Sequence, residues 1–252
     1  MKRVLIYLVL LVVAVSAKAD DSSVALWNEG NKAYREGNYE KAIEEYRAIL
    51  DRGEFSEELY YNLANAYFKS EKLGKAILYY NKALRIDPSS EDTLHNLALC
   101  EAQTKDKISV VPEFFLNSWM RSMRNAMSCT AWSVLSLAMF ALLLAFALLF
   151  LLAASVKVRK AGFFGALCAV LLFVTTTLFA VSSRSDILSH DEAIVMGSAI
   201  SVKSSPDNSA TDLFVLHEGT KVRIVAEMDE WAELVIADGK KGWTEKKNVE
   251  SI

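Results

Sequence analysis

Residues 131–156 read AWSVLSLAMFALLLAFALLFLLAASV, and beyond Lys157, Arg159 and Lys160 residues 161–183 read AGFFGALCAVLLFVTTTLFAVSS. No charged residue stands between Arg124 and Lys157. At a helical rise of roughly 1.5 Å per residue, each run can cross a hydrocarbon layer about 30 Å thick with some tilt to spare. Uncharged runs of this length are rare in soluble helical cores, so the pair predicts a transmembrane hairpin with spans at 131–156 and 161–183. The three cations are too close together and too charged to lie in lipid, which makes 157–160 a short loop outside the bilayer. Two spans return the chain to its starting side. The polar segments before and after the hairpin are therefore expected in one compartment.

The chain has 252 residues, 52% of them hydrophobic, and a net charge of −3, but these averages mix apolar spans with polar segments. Removing the spans leaves about 85 polar residues before the hairpin and about 70 after, room for one small domain each and for no large enzyme core. Lys and Arg alternate with Asp and Glu in both segments, so no basic stripe points to nucleic acid. Cys100, Cys129 and Cys168 are too few and too scattered for a disulfide framework or a zinc site; three unpaired thiols are the default, with Cys100 and Cys129 able to pair in an oxidising compartment.

At the amino terminus, Lys2 and Arg3 precede an apolar run at 4–15 and then Ala17-Lys18-Ala19 before Asp20. This is the pattern of a signal peptide, residues 1–19, cleaved after Ala19; the run is short for a span, and an uncleaved anchor is the other reading. Either sends residue 20 onward across the membrane. With the basic loop left in the cytoplasm, the expected location is the inner (cytoplasmic) membrane, two spans, both polar segments periplasmic.

Residues 20–104 repeat themselves at a fixed offset. Gly30 and Ala64, Asn31 and Asn65, Ala42 and Ala76, and Tyr46 and Tyr80 are each 34 residues apart, and the second copy ends in Asp87-Pro88. GNKAYREGNYEKAIEEYRAIL and YYNLANAYFKSEKLGKAILYYNKALRIDPSS in this order of small and aromatic residues resemble the tetratricopeptide repeat. Physically, small residues let two helices approach closely while Tyr34, Tyr39, Tyr46, Tyr67 and Tyr80 fill the gaps beside them. A third first helix from Glu91, with Leu94, Leu97 and Ala98, makes two and a half repeats. So short an array needs something to cover its last helix. The linker at 105–130 offers an amphipathic helix over 112–127, with Phe115, Trp119, Met123 and Met127 at four-residue steps and Arg121, Arg124 and Asn125 off that stripe. It can cap the repeats or lie in the outer headgroup layer, and Trp119, Arg121 and Arg124 favour the interfacial role.

The resemblance implies that the inner faces of the first helices hold an extended peptide or a partner helix. The corresponding positions are Trp27, Asn31, Tyr34 and Arg35 in the first repeat, Tyr61, Asn62, Asn65, Phe68 and Lys69 in the second, and Asp92, His95 and Asn96 in the half repeat. Carboxamides supply a donor and an acceptor, which suits reading a peptide backbone. The subfamily that clamps a terminal carboxylate has Asn where Asn31 and Asn62 stand; this chain departs from it at Trp27, Asp92 and Asn96. The same polar residues also make an ordinary solvated face.

After the second span the apolar pattern turns to alternation, with expected strands at 193–196, 200–203, 221–226, 231–236 and 242–244 separated by turn residues such as Pro206-Asp207-Asn208 and Asp238-Gly239. Strands this short and frequent suggest a small barrel at 184–252. Leu216-x-Glu218-Gly219-Thr220, Trp231 and Gly242-Trp243 resemble a bacterial SH3-like domain, which implies binding of peptidoglycan peptides or protein segments with Trp231 as an aromatic contact; Trp231 and Trp243 also suit a small core. Asp207, Asp212 and Asp229 have no metal or acid–base spacing, and no nucleophile is paired with a base, so neither cofactor, metal nor catalytic site is expected.

The expected fold is thus a multidomain membrane protein: an α-helical tetratricopeptide repeat solenoid, a two-helix transmembrane hairpin and a small all-β SH3-like barrel. With a signal peptide in front, that order resembles the BatE-type proteins of the Bacteroides aerotolerance operon. The resemblance implies a membrane-anchored scaffold of an envelope complex, with von Willebrand A-domain membrane proteins and a MoxR-type ATPase as associates and the lipid bilayer as its support. The alternative is a wall-associated accessory protein whose SH3-like domain binds peptidoglycan. An enzyme lacks a catalytic domain, and a transporter generally carries an ionisable group in its spans, which these lack.

Overall fold

The computed structural model describes residues 21–109 and 114–252. The expected signal peptide and its cleavage point after Ala19 lie outside the described residues, as does Pro112, where the amphipathic helix was expected to open. The described residues divide into two compact units, one up to Phe55 and the other from Ser56 onward.

In the first unit, α1 (Asp21–Arg35) and α2 (Tyr39–Leu50) form a helical hairpin. Gly37 turns the chain with φ +77°, a region a side chain disfavours, and the Asn38 carboxamide then accepts the Lys41 N–H at 3.2 Å to start α2. Gly30 explains the small residue expected here: a Cβ on it would stand 2.7 Å from the Tyr46 ring. Ala33, Ala42, Ile43 and Ile49 complete the contact, and Trp27 tilts onto Tyr46 with ring centroids 5.7 Å apart.

The second unit opens with α3 (Glu57–Lys69), α4 (Leu73–Ile86) and α5 (Glu91–Gln103). Ser56 caps α3 by accepting the Leu59 N–H at 3.1 Å. Ala64 and Ala76 are wholly buried among Leu59, Leu63, Ile77 and Tyr80, so close approach of the two helices is secured by the residues that the 34-residue offset singled out. Helix α5 joins through Thr93, Leu97 and Cys100, with the Thr93 hydroxyl donating to Glu57 at 2.8 Å. It leaves Leu94 and Leu99 exposed.

A ten-residue helix, α6 (Phe115–Arg124), leads into α7 (Cys129–Leu152) and α8 (Val156–Leu188), which pack antiparallel. A Cβ on Gly162 would lie 2.7 Å from the Phe150 backbone nitrogen, so this glycine lets the helices touch near their turn; Ser136 and Thr177 share a hydrogen bond of 2.7 Å further along. Core helices of soluble proteins hide their apolar surface. Here 6% of the most apolar window of α7 and 22% of that of α8 are buried, so both helices are compatible with membrane spans by length, composition and exposure. The turn between them is at 153–155. Lys157, Arg159 and Lys160, expected in a loop, occupy the opening turns of α8, because Lys and Arg are good helix formers whose long stems carry their charges outward. Arg159 reaches back to the Ala153 carbonyl at 3.2 Å, placing a cation at the carboxyl end of α7.

Beyond α8, β1 (Glu192–Val195), β2 (Ile200–Lys203), β3 (Asp212–Leu216), β4 (Lys221–Met228), β5 (Trp231–Val235), β6 (Lys241–Glu245) and β7 (Val249–Ser251) form one antiparallel sheet in the order β3-β2-β6-β5-β4-β1-β7. The order does not close on itself: β3 and β7 are its edges. Strands β3 and β7 are additional to the five expected. Asp238-Gly239 makes the tight β5–β6 turn, Gly239 at φ +88° and the Ile236 N–H donating to the Lys240 carbonyl at 3.0 Å. Ala193, Val195, Val202, Leu216, Val222 and Leu234 form the core, and Ile108 from the stretch after α5 packs against it.

Replacing the fully buried Ala76 with Leu overfills the α3–α4 contact and is expected to cost about 1–3 kcal/mol. Thermal melting of the full chain in detergent should shift downward, with faster amide exchange in α3 and α4; an unchanged melt would place Ala76 away from the contact.

Candidate functional site

Helix α4 begins without a cap of its own, since Lys72 at its N-cap position makes no side-chain hydrogen bond there. The missing acceptor comes from the β-region 144 residues away: the Gly74 N–H donates to Glu218 Oε1 at 2.8 Å, putting a carboxylate at the positive end of the helix dipole. The remaining contacts follow one face of the helix. Lys75 pairs with Glu250, Ile77 lies under Gly219, Asn81 Oδ1 accepts from Lys221 Nζ at 3.2 Å, and Arg85 meets the carboxyl-terminal end of the sheet. Arg85 is the best fixed of these. Its guanidinium donates to the carbonyls of Ser189 and, at 2.8 Å, Ile252, and reaches Glu192 at 3.4 Å, with only 12% of the side chain exposed. Gly219 adopts φ +87°, and a Cβ there would stand 2.7 Å from Ile77 and 2.9 Å from Thr104, so glycine is required both for the turn and for the approach.

The stretch leaving α5 adds a second attachment. Asp106 accepts from the His217 N–H at 2.7 Å and from the Thr220 hydroxyl at 2.6 Å, and its other oxygen faces His217 Nδ1 at 2.7 Å. Burial acts to raise the Asp106 pKa, but these hydrogen bonds outweigh it and hold the carboxyl below the ordinary carboxylate range. Glu218 stands out in the sequence only as part of the Leu216–Thr220 motif, not as a cap, and Arg85, Asp106 and His217 are not singled out there at all. Their partners lie more than 100 residues away, and no local pattern marks the pairings.

The expected groove residues have the following places. In the first unit, Asn31 Oδ1 accepts from the Tyr46 hydroxyl at 2.7 Å, Tyr34 meets Tyr39 edge-on at 5.4 Å, Trp27 is half-buried and Arg35 is exposed. Burial pushes the Tyr46 hydroxyl up to about 12, so it remains the donor at any ordinary pH. In the second unit, Asn65 Oδ1 accepts from Tyr80 in the same way and also from Asn96 Nδ2 at 3.1 Å, while Asn96 reaches the Tyr61 hydroxyl at 3.2 Å. Tyr61, Asn65 and Asn96 are thus brought together and tie α3 to α5. Asn62 and Phe68 are half-buried, and Lys69 and His95 are exposed. The Asn31–Tyr46 and Asn65–Tyr80 pairs are one device used twice: a carboxamide on each first helix holding the hydroxyl of its second helix. Trp231 is half-buried, opposite Met228 on β4 and Glu245 on β6. Among the described residues, no group of three His, Cys, Asp or Glu is placed to hold a metal ion.

Residues 28–91 match the tetratricopeptide repeat family. Over 63 residues the chain is 43% identical to tetratricopeptide repeat protein 12 of Homo sapiens, a match covering 25% of this chain and 9% of that protein, so it takes in a small part of that relative's length. Both findings support tetratricopeptide-type repeats in this chain, and repeats of this type generally mediate protein–protein interactions.

The depressed pKa of Asp106 gives its attachment a direction in pH. Its contribution is complete above the unfolded carboxyl range and is lost as pH falls through the lowered folded value, where protonation removes an acceptor. Asp106→Asn should imitate that loss at neutral pH, costing about 1–3 kcal/mol. Amide exchange across 216–222 in the full chain would read it as weakened protection in the variant and in acid; unaltered protection would show that the carboxylate does not hold this turn.

Proposed function

We propose that this protein is a membrane-anchored scaffold, with α7 and α8 as its two spans and the polar segments on either side together in the periplasm. The helical repeats hold a segment of a partner in an envelope complex. The observation that carries this reading is the division of labour around the second repeat. Helix α4 gives its outer face to the β-region, whereas α3 and α5, tied by Tyr61, Asn65 and Asn96, keep Lys69 and His95 exposed beside half-buried Asn62 and Phe68. Polar groups beside an aromatic ring suit an extended peptide. Trp27, Asn31, Tyr34 and Arg35 of the first unit are proposed for the same task.

The finer identity follows the order of parts. Repeats, hairpin and a carboxyl-terminal β-region resembling SH3-like domains support a BatE-type protein, working beside von Willebrand A-domain membrane proteins and a MoxR-type ATPase. The wall-associated reading has one observation in its favour. Trp231 pairs with Met228, at the end of β4 away from Lys221, so docking on α4 leaves it available to a peptidoglycan peptide.

Measurements of topology, partner capture and wall retention test these readings. Alkaline phosphatase fused after Asn208 should be active and at Lys157 silent; the reverse pattern would sink the topology. A photocrosslinker at Lys69 or His95 of the full chain, in native membranes, should join one recurrent protein that a crosslinker at Asn208 does not. Lys69→Ala with His95→Ala should weaken that association about five- to a hundredfold if each change removes a hydrogen bond of about 0.5–1.5 kcal/mol. Equal capture at all three positions would leave this face merely solvated. Retention on peptidoglycan lost in Trp231→Ala, with capture at Lys69 absent, would favour the wall reading.

A further inference from the structure

Of α3–α8, α6 is the one with no buried side chain. Its exposed apolar groups are not scattered. At 3.6 residues per turn, Phe115, Leu116, Trp119, Met120 and Met123 fall within an arc of about 140°. Phe115, Trp119 and Met120 expose 66%, 58% and 51% of their surface. On the opposite arc, Arg121, Arg124 and Asn125 line a cavity of about 400 Å³ that Arg85, Asp186 and Glu192 line with them. A helix capping the repeats would turn its apolar arc inward. This one turns it outward.

The carboxyl-terminal end of α6 is fixed to both long helices. Arg124 pairs with Asp186 at 2.7 Å and donates to the Ser182 hydroxyl at 3.0 Å, the two lying on α8 on either side of the end of its uncharged run. Trp132 Nε1, near the start of α7, donates to the Arg124 carbonyl at 2.7 Å. Only four residues, 125–128, separate α6 from α7, a reach of about 14 Å at most. Helix α6 is therefore held at the level where α7 and α8 pass from apolar to polar sequence, with its apolar arc turned away from the protein.

We infer that α6 is an in-plane membrane anchor, its Phe115–Leu116–Trp119–Met120–Met123 face seated at the boundary between headgroups and acyl chains of the bilayer that α7 and α8 cross. The inference rests on the membrane reading of those two helices. The lipid surface fits this face because it takes apolar side chains without hydrogen-bond partners, while a ring such as Trp119 suits the headgroup zone. Through Arg124 the same helix sets the height at which α3–α5 and the sheet stand over the membrane, so the anchor positions the partner-binding face proposed on α3 and α5 as well as holding the chain.

Nitroxide labels on the full chain in vesicles of phosphatidylethanolamine and phosphatidylglycerol test this. Cys129→Ser and Cys168→Ala remove the reactive thiols; Cys100 can stay, since it is 1% exposed and burial pushes its thiol up to about 11. Labels replacing Leu116 and Met120 should be more accessible to oxygen than to a water-soluble nickel chelate, as should a control at Val134 on the outer surface of α7. Labels at Asn117 and Ser118 should show the opposite order. If Leu116 and Met120 meet the nickel chelate while Val134 meets oxygen, or if their spectra are immobilised by a second copy or another protein, the anchor is refuted and the spans stand. If Val134 also meets the chelate, the membrane reading itself fails. A second readout leaves the cysteines untouched: brominated lipid should quench the tryptophan emission of the native chain more than that of Trp119→Phe, and equal quenching would overturn the proposal.

Discussion

Helix α4 is held from two sides by different chemistry, and the organisation of the second unit depends on that. Toward α3 it presents Ala76, Tyr80 and Ala83, which dispersion and apolar burial hold together. Toward the β-region it presents Gly74, Lys75, Asn81 and Arg85, which hydrogen bonds and charges hold. The apolar side is non-directional, whereas the polar side demands a register, because a carboxylate must meet the first turn and a guanidinium must meet two carbonyls. Sliding the helix by one turn against the sheet would lose all of these at once. The polar side thus fixes where the sheet sits along the helix, and the apolar side supplies most of the driving force.

This arrangement bears on the proposed scaffold role. A repeat pair alone would be free to hinge against whatever follows it, and a partner segment would then be presented at no fixed angle. Here Asp106, His217 and Thr220 secure the stretch after α5, and Arg124 secures the approach to α7. Between them they leave the second repeat, the sheet and the long hairpin few ways to move independently. A binding face carried on such a body is preorganised, which lowers the entropic cost of engaging a partner.

The parts of this fold that are legible in the sequence are those set by short-range periodicity. The 34-residue offset of Gly30, Asn31, Ala42 and Tyr46 gives the helical hairpins, and the uncharged runs give α7 and α8. Strand β3 was missed because Leu213-Phe214-Val215-Leu216 is apolar throughout and lacks alternation, and β7 because three residues are too few to show any period. The roles of Asn31 and Asn65 were half legible. Their spacing marked them as special, but a carboxamide that reads a partner's backbone and one that holds a neighbouring tyrosine look the same in one dimension. The attachments through Glu218, Asp106 and Arg85 were not legible at all, because each pairs side chains that only tertiary structure brings together.

The cap that Glu218 supplies to α4 changes what counts as a module in this protein. Seen as a string of parts, the chain carries a common repeat and a common small sheet that could each be exchanged for a relative of the same kind. Yet α4 lacks the acceptor its first turn needs, and the sheet carries that acceptor in the turn at 217–220. A transplanted repeat pair would leave with a frayed helix, and a substituted sheet would leave one behind. Inheritance should therefore treat Gly74, Gly219 and Glu218 as one unit, drifting together or not at all, although they sit at opposite ends of the second unit's sequence.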